Sequence, residues 1–218
     1  MKQNIAIIDY GSGNLRSAQK ALQRAANSLN GEFDIIVTND IEKINKAQRI
    51  VLPGVGAFAD CKQGLFAIEG IGEVLEQRVM RDGIPFLGIC VGMQLMAEVG
   101  LEKGKHKGLG WIEGEVSAIK PTDKSLKIPH MGWNTLKFHQ PHALLENIAD
   151  GKDGLHAYFV HSYQMQVENK ADILASCDYG GQITAMVGKD NIAGTQFHPE
   201  KSQKLGLTLL ENFLRWQI

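Results

Sequence analysis

Two places in this chain hold residue types that, brought together, could share a proton and form a covalent bond: Cys90, and the pair His198 and Glu200. Cys90 lies in Gly88-Ile89-Cys90-Val91-Gly92, at the end of an apolar run that begins at Ile84 and follows Gly83. Such a run reads as a short buried strand, and Met93 to Val99 beyond it has helical composition. A nucleophile on a sharp strand-to-helix turn has this grammar, with a glycine two residues to either side so that the backbone can close in. The turn pushes the thiol out at the carboxyl end of a strand, beside the positive end of a helix, where thiolate is favoured over thiol. Cys90 is therefore a candidate nucleophile. The competing reading is a buried structural cysteine, because free cysteine is commonly buried.

The second place is Gly194-Thr195-Gln196-Phe197-His198-Pro199-Glu200-Lys201-Ser202. Residues two apart in an extended chain point the same way, and Pro199 holds its predecessor extended. His198 and Glu200 would then project together, the carboxylate orienting one ring nitrogen and the other facing Cys90. That is nucleophile, base and orienter, recognised by role. A surface turn with an ordinary histidine is the alternative for this stretch taken alone. Acyl chemistry also needs donors for an oxyanion. The N–H of Val91 is one candidate. Gly54 and Val55 in the loop Pro53-Gly54-Val55-Gly56 are others, with Gly56 leaving room for substrate; a plain turn is the other reading of that loop.

The elements that must position these groups follow from pattern. Strand-like runs at Asn4–Asp9, Phe33–Val37, Arg49–Leu52 and Ile84–Cys90 alternate with helical segments, of which Leu15 to Asn27 is the clearest. A long, partly helical stretch reaches Arg81, with Gly64, Gly70 and Gly72 expected as breaks. Alternation of this kind implies an α/β fold with an open, mostly parallel sheet flanked by helices, its working site at the strand carboxyl ends. After Gly100 the texture is β-rich: Trp111–Ile119, Thr135–Phe138, Leu155–Val160, Gln164–Val167, Ile173–Cys177, Ile183–Val187 and Ile192–Phe197. Gly180-Gly181 marks a hairpin, and an amphipathic helix over Gln203–Trp216 closes the chain. With no linker or repeat, residues 1–218 read as one domain.

Composition narrows the classes. Charge is balanced, 23 basic against 24 acidic residues, which speaks against nucleic acid or anionic lipid as partner. The 3 cysteines include no C-x-x-C pair and imply neither a disulfide framework nor structural zinc. The histidines lack helical metal spacing, so no metal and no cofactor is expected. Gly11-Ser12-Gly13 opens a helix as a dinucleotide loop does, but Arg16 stands where the third glycine belongs. No signal-peptide core follows Met1, and no run approaches the ~20 apolar residues of a spanning helix, so a soluble cytoplasmic protein is expected.

Gly88-Ile89-Cys90-Val91-Gly92-Met93-Gln94 and Gln196-Phe197-His198-Pro199-Glu200 resemble the paired signatures of the class I (triad) glutamine amidotransferases. Asp9 to Ser17, Leu52 to Phe58 and His130-Met131-Gly132-Trp133-Asn134 are similar, more narrowly, to the branch that supplies the glutaminase of imidazole glycerol phosphate synthase. The segment Asn27 to Phe33 is slightly long for that branch and is expected as a surface loop. The resemblance implies that Cys90 attacks the side-chain amide of glutamine, that His198 protonates the departing ammonia, and that a glutamyl thioester is then hydrolysed. It implies glutamine contacts from Gln94 and from His161, Ser162 and Tyr163. It also implies a partner, a (β/α)8-barrel synthase (cyclase) subunit that uses the ammonia to make imidazole glycerol phosphate and aminoimidazole carboxamide ribotide. Independently, the motifs spread from Gly54 to Glu200 and leave no room for a domain that would consume ammonia. A heterodimer is expected, with loops at the strand carboxyl ends (Asn14, Arg16, Trp133, Asn134) facing the partner. A paralogous partner, a cysteine elbow hydrolase and a non-catalytic interaction protein are the competing classes.

Overall fold

The computed structural model describes residues 2–29, 32–152 and 154–218. The front of the chain runs β1 (Gln3–Ile8), α1 (Leu15–Ser28), β2 (Phe33–Thr38), α2 (Ile41–Asn45), β3 (Arg49–Gly54), α3 (Phe58–Phe66), α4 (Ile71–Leu75), a π-helical turn at Glu76–Arg81, β4 (Phe86–Cys90) and α5 (Val91–Gln94). The back runs β5 (Ala97–Gly100), β6 (His106–Lys107), β7 (Ile112–Ala118), β8 (His130–Thr135), β9 (Lys137–Phe138), β10 (His156–His161), β11 (Tyr163–Val167), β12 (Ile173–Asp178), β13 (Gln182–Lys189), β14 (Ile192–Thr195) and α6 (Gln203–Arg215). The expected loop between Asn27 and Phe33 falls partly on Asn30 and Gly31, outside the described residues. No helix among the described residues is long and apolar enough to cross a membrane.

An 8-stranded sheet in the order β2-β1-β3-β4-β14-β13-β12-β9 organises the molecule. β2, β1, β3, β4 and β14 run parallel, and β13, β12 and β9 continue the sheet antiparallel. The α/β sheet flanked by helices is as expected, with its β-rich half supplying the antiparallel edge. β3 and β4 are buried along their whole length, as strands covered on both faces must be, and so read as continuous apolar runs rather than alternating ones. Smaller sheets, β10-β8 and β11-β7-β5-β6, stand beside it.

Three local expectations are corrected. The elbow helix does not reach Val99; α5 is a single turn, and Ala97–Gly100 is strand β5. Gly108 to Ile112 donate to the carbonyls of Leu95, Met96, Ala97 and Glu98, so sheet pairing overrides helical composition. Of the three glycines expected as breaks only Gly70 is one, in the left-handed region before α4. Gly64 lies within α3, where a Cβ would meet the Tyr10 carbonyl oxygen at 2.8 Å, and Gly72 lies within α4 against the Phe66 ring. Trp133 and Asn134 stand on a strand rather than a loop, since β8 pairs antiparallel with β10 through Trp133↔Tyr158 and Asn134↔Ala157.

The register explains how distant segments meet. Gly54 is the Cα partner of Cys90 across β3 and β4, and Thr195 is the partner of Ile89 across β14 and β4. Three parallel strands therefore end at one level. The glycine loop leaves from one, the Cys90 turn from the next, and Gln196-Phe197-His198 from the third.

The turn itself depends on two glycines. A Cβ on Gly92 would lie 1.8 Å from the Leu52 carbonyl oxygen, and one on Gly88 would lie 2.6 Å from the Gly92 carbonyl oxygen. Both contacts are with backbone, so no side-chain rotation relieves them. Gly92→Ala is expected to cost roughly 3 kcal/mol or more in urea unfolding, whereas Gly72→Ala, facing a movable ring, costs about 1 kcal/mol or less.

Candidate active site

Cys90 has φ 55° and ψ −111°, a conformation that ordinarily costs a non-glycine residue on the order of 1–3 kcal/mol and survives only where packing dictates it. The two close glycine contacts supply that constraint. Cys90 is 4% exposed and lines a cavity of about 350 Å³, at the small end of ligand pockets (roughly 300–1,000 Å³). Val55, Gly56, Val91, Gln94, His161, Ser162, Tyr163 and His198 border the same cavity. Gly54 does not line it; it lies behind, in the ladder with β4.

His198 and Glu200 come together by a route other than the one expected. His198 is extended, with φ −95° and ψ 99°, but Pro199–Lys201 is a 3-10 turn, where proline suits the first helical position. That turn, not an extended chain, carries the carboxylate back onto the ring. Nδ1 of His198 lies 2.8 Å from Oε1 of Glu200, with both side chains 3% exposed. The backbone of His198 is fixed as well. Its N–H donates to the Tyr158 carbonyl at 2.9 Å, and its carbonyl accepts from Ser202 Oγ at 2.7 Å.

Nε2 of His198 is buried and makes no hydrogen bond with any described group. Burial alone would push the ring's pKa down, but interactions with Cys90 and with Glu200 outweigh it and raise the pKa to about 9. A pKa of about 9 favours the imidazolium at neutral pH, with one proton on Nδ1 donated to Glu200 and the second on Nε2. Because the folded-state value lies above the ordinary one near ~6.5, the pair adds stability below that pH and loses it as pH rises through about 9.

The candidate oxyanion donors are disposed unequally. Val55, 44% exposed, donates its N–H to Ser12 Oγ at 3.2 Å, while Ser12 Oγ–H donates to the Val55 carbonyl at 2.5 Å. The thiol of Cys61 donates to that carbonyl too, at 3.4 Å. Gly11-Ser12-Gly13 is thus a clamp on the glycine loop.

His161, expected to touch substrate, has both ring nitrogens engaged within the protein. Nδ1 lies 2.8 Å from the Tyr163 carbonyl and Nε2 lies 3.0 Å from Nδ1 of His130. Burial lowers the pKa of each ring to about 4, so both are neutral at pH 7. The carbonyl can only accept, which places the His161 proton on Nδ1 and makes His130 the donor between the rings. His130 is stacked between Phe159 and Tyr179, and its Nε2 is approached by Asn134 Nδ2 at 3.5 Å. Of the other residues expected at a partner surface, Arg16 and Trp133 are exposed and Asn14 is half-buried.

Sequence reasoning missed two groups. Glu102 borders the cavity while its Oε2 accepts the Phe58 N–H at 2.8 Å; it lies in a glycine-punctuated stretch with no periodic signal. Gln196 is fully buried against Cys90; it opens the Gln-Phe-His-Pro-Glu stretch, but nothing in its spacing assigns it a role.

Against burial, Cys90 and then Glu200 raise the His198 pKa, and the Glu200 share is testable. The imidazole C–H resonances of His198 should titrate near pH 9 in the wild type, and several tenths of a pH unit or more lower in Glu200→Gln. An unshifted midpoint would contradict the pairing.

The chain is similar in sequence and fold to known proteins. The family model for class-I glutamine amidotransferases matches residues 6–216. The imidazole glycerol phosphate synthase subunit HisH of Brucella suis biovar 1 is 57% identical over 213 residues, covering 98% of this chain and 99% of that one. The same protein of Rhodospirillum rubrum is also 57% identical, covering 97% and 98%. Among solved structures, a glutamine amidotransferase superposes with a TM-score of 0.69 at 18% identity, covering 96% of this chain and 98% of that one. A glutamine amidotransferase from Thermotoga maritima gives 0.64 at 14%, covering 99% and 97%. The structural likenesses carry the fold alone; with the family model and the near-full-length sequence identity, the chain belongs to the class-I glutamine amidotransferase family.

Proposed function

We propose that this chain is the glutaminase subunit of an imidazole glycerol phosphate synthase, hydrolysing glutamine to glutamate and ammonia. The observation that carries the chemistry is a buried imidazole, held by Glu200 at 2.8 Å, whose unpartnered Nε2 shares a cavity with a strained cysteine. Identity of 57% over nearly the whole of two chains named for that synthase supports the specific assignment.

In this reading Sγ of Cys90 adds to the side-chain amide carbon of glutamine while the thiol proton resides on Nε2. The tetrahedral intermediate collapses as Nε2 protonates the nitrogen, ammonia leaves, and a thioester to Cys90 remains. Water, activated by the now neutral His198, then releases glutamate. Proton transfer by a positioned group of this kind contributes ~100- to 10,000-fold. Gln94, Ser162 and Tyr163 border the space for the amino-acid end, with the carboxylate of Glu102 a complement to its ammonium.

The N–H of Val91 is available to an oxyanion through the turn geometry, whereas that of Val55 must first leave Ser12. Gly56, at φ 108°, permits the peptide rotation this requires. The glutaminase is therefore held short of full activity until the loop is released, which suits an enzyme whose ammonia is meant for a partner. That partner is a (β/α)8-barrel synthase subunit. Trp133 and Met131, 48% and 62% exposed, with Asn14, Arg16 and Asn134, form the docking face. We place the heterodimer in the cytoplasm, read residues 1–218 as one amidotransferase domain, and assign no cofactor.

Glutamate release by the chain together with its barrel partner tests the reading. Wild type should turn over and Cys90→Ala should fall by about a thousandfold or more; undiminished turnover in Cys90→Ala would overturn the mechanism. Ser12→Ala, by freeing the Val55 N–H, should raise glutaminase activity in the absence of acceptor substrate. The ceiling is the worth of one oxyanion donor, ~2.7–4 kcal/mol, and a decrease would show that Ser12 does not restrain the donor.

A further inference from the structure

Gln196 is 0% exposed, and the triad chemistry above makes no use of it. Its backbone is pinned on the sheet, the N–H donating to the Ala185 carbonyl at 2.9 Å. Its side chain lies between two groups that the reaction does use. Nε2 donates to Cys90 Sγ at 3.7 Å, and Oε1 accepts from Gln94 Nε2 at 2.9 Å. Gln94 Nε2 gives its other proton to the Tyr163 carbonyl at 3.2 Å.

The direction of this chain is set by one atom. A backbone carbonyl only accepts, so the Gln94 nitrogen must face Tyr163. That nitrogen then donates to Gln196, which must present its oxygen to Gln94 and its NH2 to sulfur. Neither amide can flip without opposing two acceptors or two donors. The same constraint leaves Gln94 Oε1 unused by this chain of bonds, on a residue that lines the cavity.

We propose that Gln196 is a positioning residue of the glutaminase reaction, holding the Cys90 sulfur with its donor end and fixing Gln94 toward substrate with its acceptor end. This deepens the reading of Cys90 as the nucleophile and rests on it. A donor to sulfur strengthens as the sulfur gains negative charge, so the contact favours the attacking form while restraining its direction. Through Gln94 the same amide sets where the amino acid lies relative to Sγ.

Iodoacetamide alkylation of the full-length chain, read peptide by peptide, tests the sulfur contact without glutamine turnover. Gln196→Met, similar in length but without a donor, should alkylate at Cys90 about tenfold more slowly at pH 7, the loss of one charge-assisted hydrogen bond. With the barrel partner present it should also lower kcat and raise KM for glutamine. Gln94→Met leaves only the sulfur, itself an acceptor, to hold the Gln196 NH2; it should raise KM while slowing Cys90 alkylation clearly less than Gln196→Met does. Equal Cys90 alkylation in wild type and Gln196→Met overturns the proposal, as does equal loss of alkylation in both variants. If Gln196→Met does not fold, the wild-type side-chain amide resonances of Gln196 decide: they should move when Cys90 is alkylated, and unmoved resonances overturn the proposal. Turnover retained by Cys90→Ala would instead defeat the underlying mechanism while leaving the alkylation result intact.

Discussion

The close approach of the elbow backbone to β3 is the contact on which the site depends. The Leu52 carbonyl oxygen lies where a side chain at position 92 would begin, and Gly92 in turn crowds Gly88. This packing forces Cys90 into a positive φ and aims its sulfur into the cavity rather than the core. It also fixes Cys90 relative to β3, whose last residue, Gly54, is its Cα partner. The strain is local, and the parallel strands on either side are what sustain it.

Electrostatics then divides the labour. Glu200 takes one nitrogen of His198 and Cys90 influences the other, so a ring that burial would neutralise stays charged near neutral pH. His130 and His161 are buried without an acidic partner, and their pKa values fall to about 4. One residue type is thus kept protonatable in one place and held as a neutral hydrogen-bond relay in another. The relay links the cavity wall at Tyr163 to Asn134 on β8.

Much of this was legible in the residues. The elbow glycines declare a tight turn through local backbone demands, which a sequence carries directly, and the buried strands announce themselves as apolar runs; the His198–Glu200 pairing was legible too, but not its route, because Pro199 opens a 3-10 turn rather than holding the step extended. What stayed hidden depends on tertiary pairing. Met93 to Val99 has helical composition, yet carbonyls from Leu95 to Glu98 are claimed by Gly108 to Ile112, and the chain turns into a strand. Ser12 looked like a fragment of a nucleotide loop because its partner, Val55, is 43 residues away. Gln196 and Glu102 gain meaning only from what the fold sets beside them.

The central claim is that Cys90, and no other cysteine, forms the covalent bond to glutamine. Incubating the chain, with its proposed barrel partner, with a diazoketone analogue of glutamine and mapping the adduct by peptide mass spectrometry addresses it directly. The expected result is one adduct, on the peptide containing Cys90, abolished by Cys90→Ala and blocked by excess glutamine. Labelling at Cys61 or Cys177, or labelling that persists in Cys90→Ala, would contradict it.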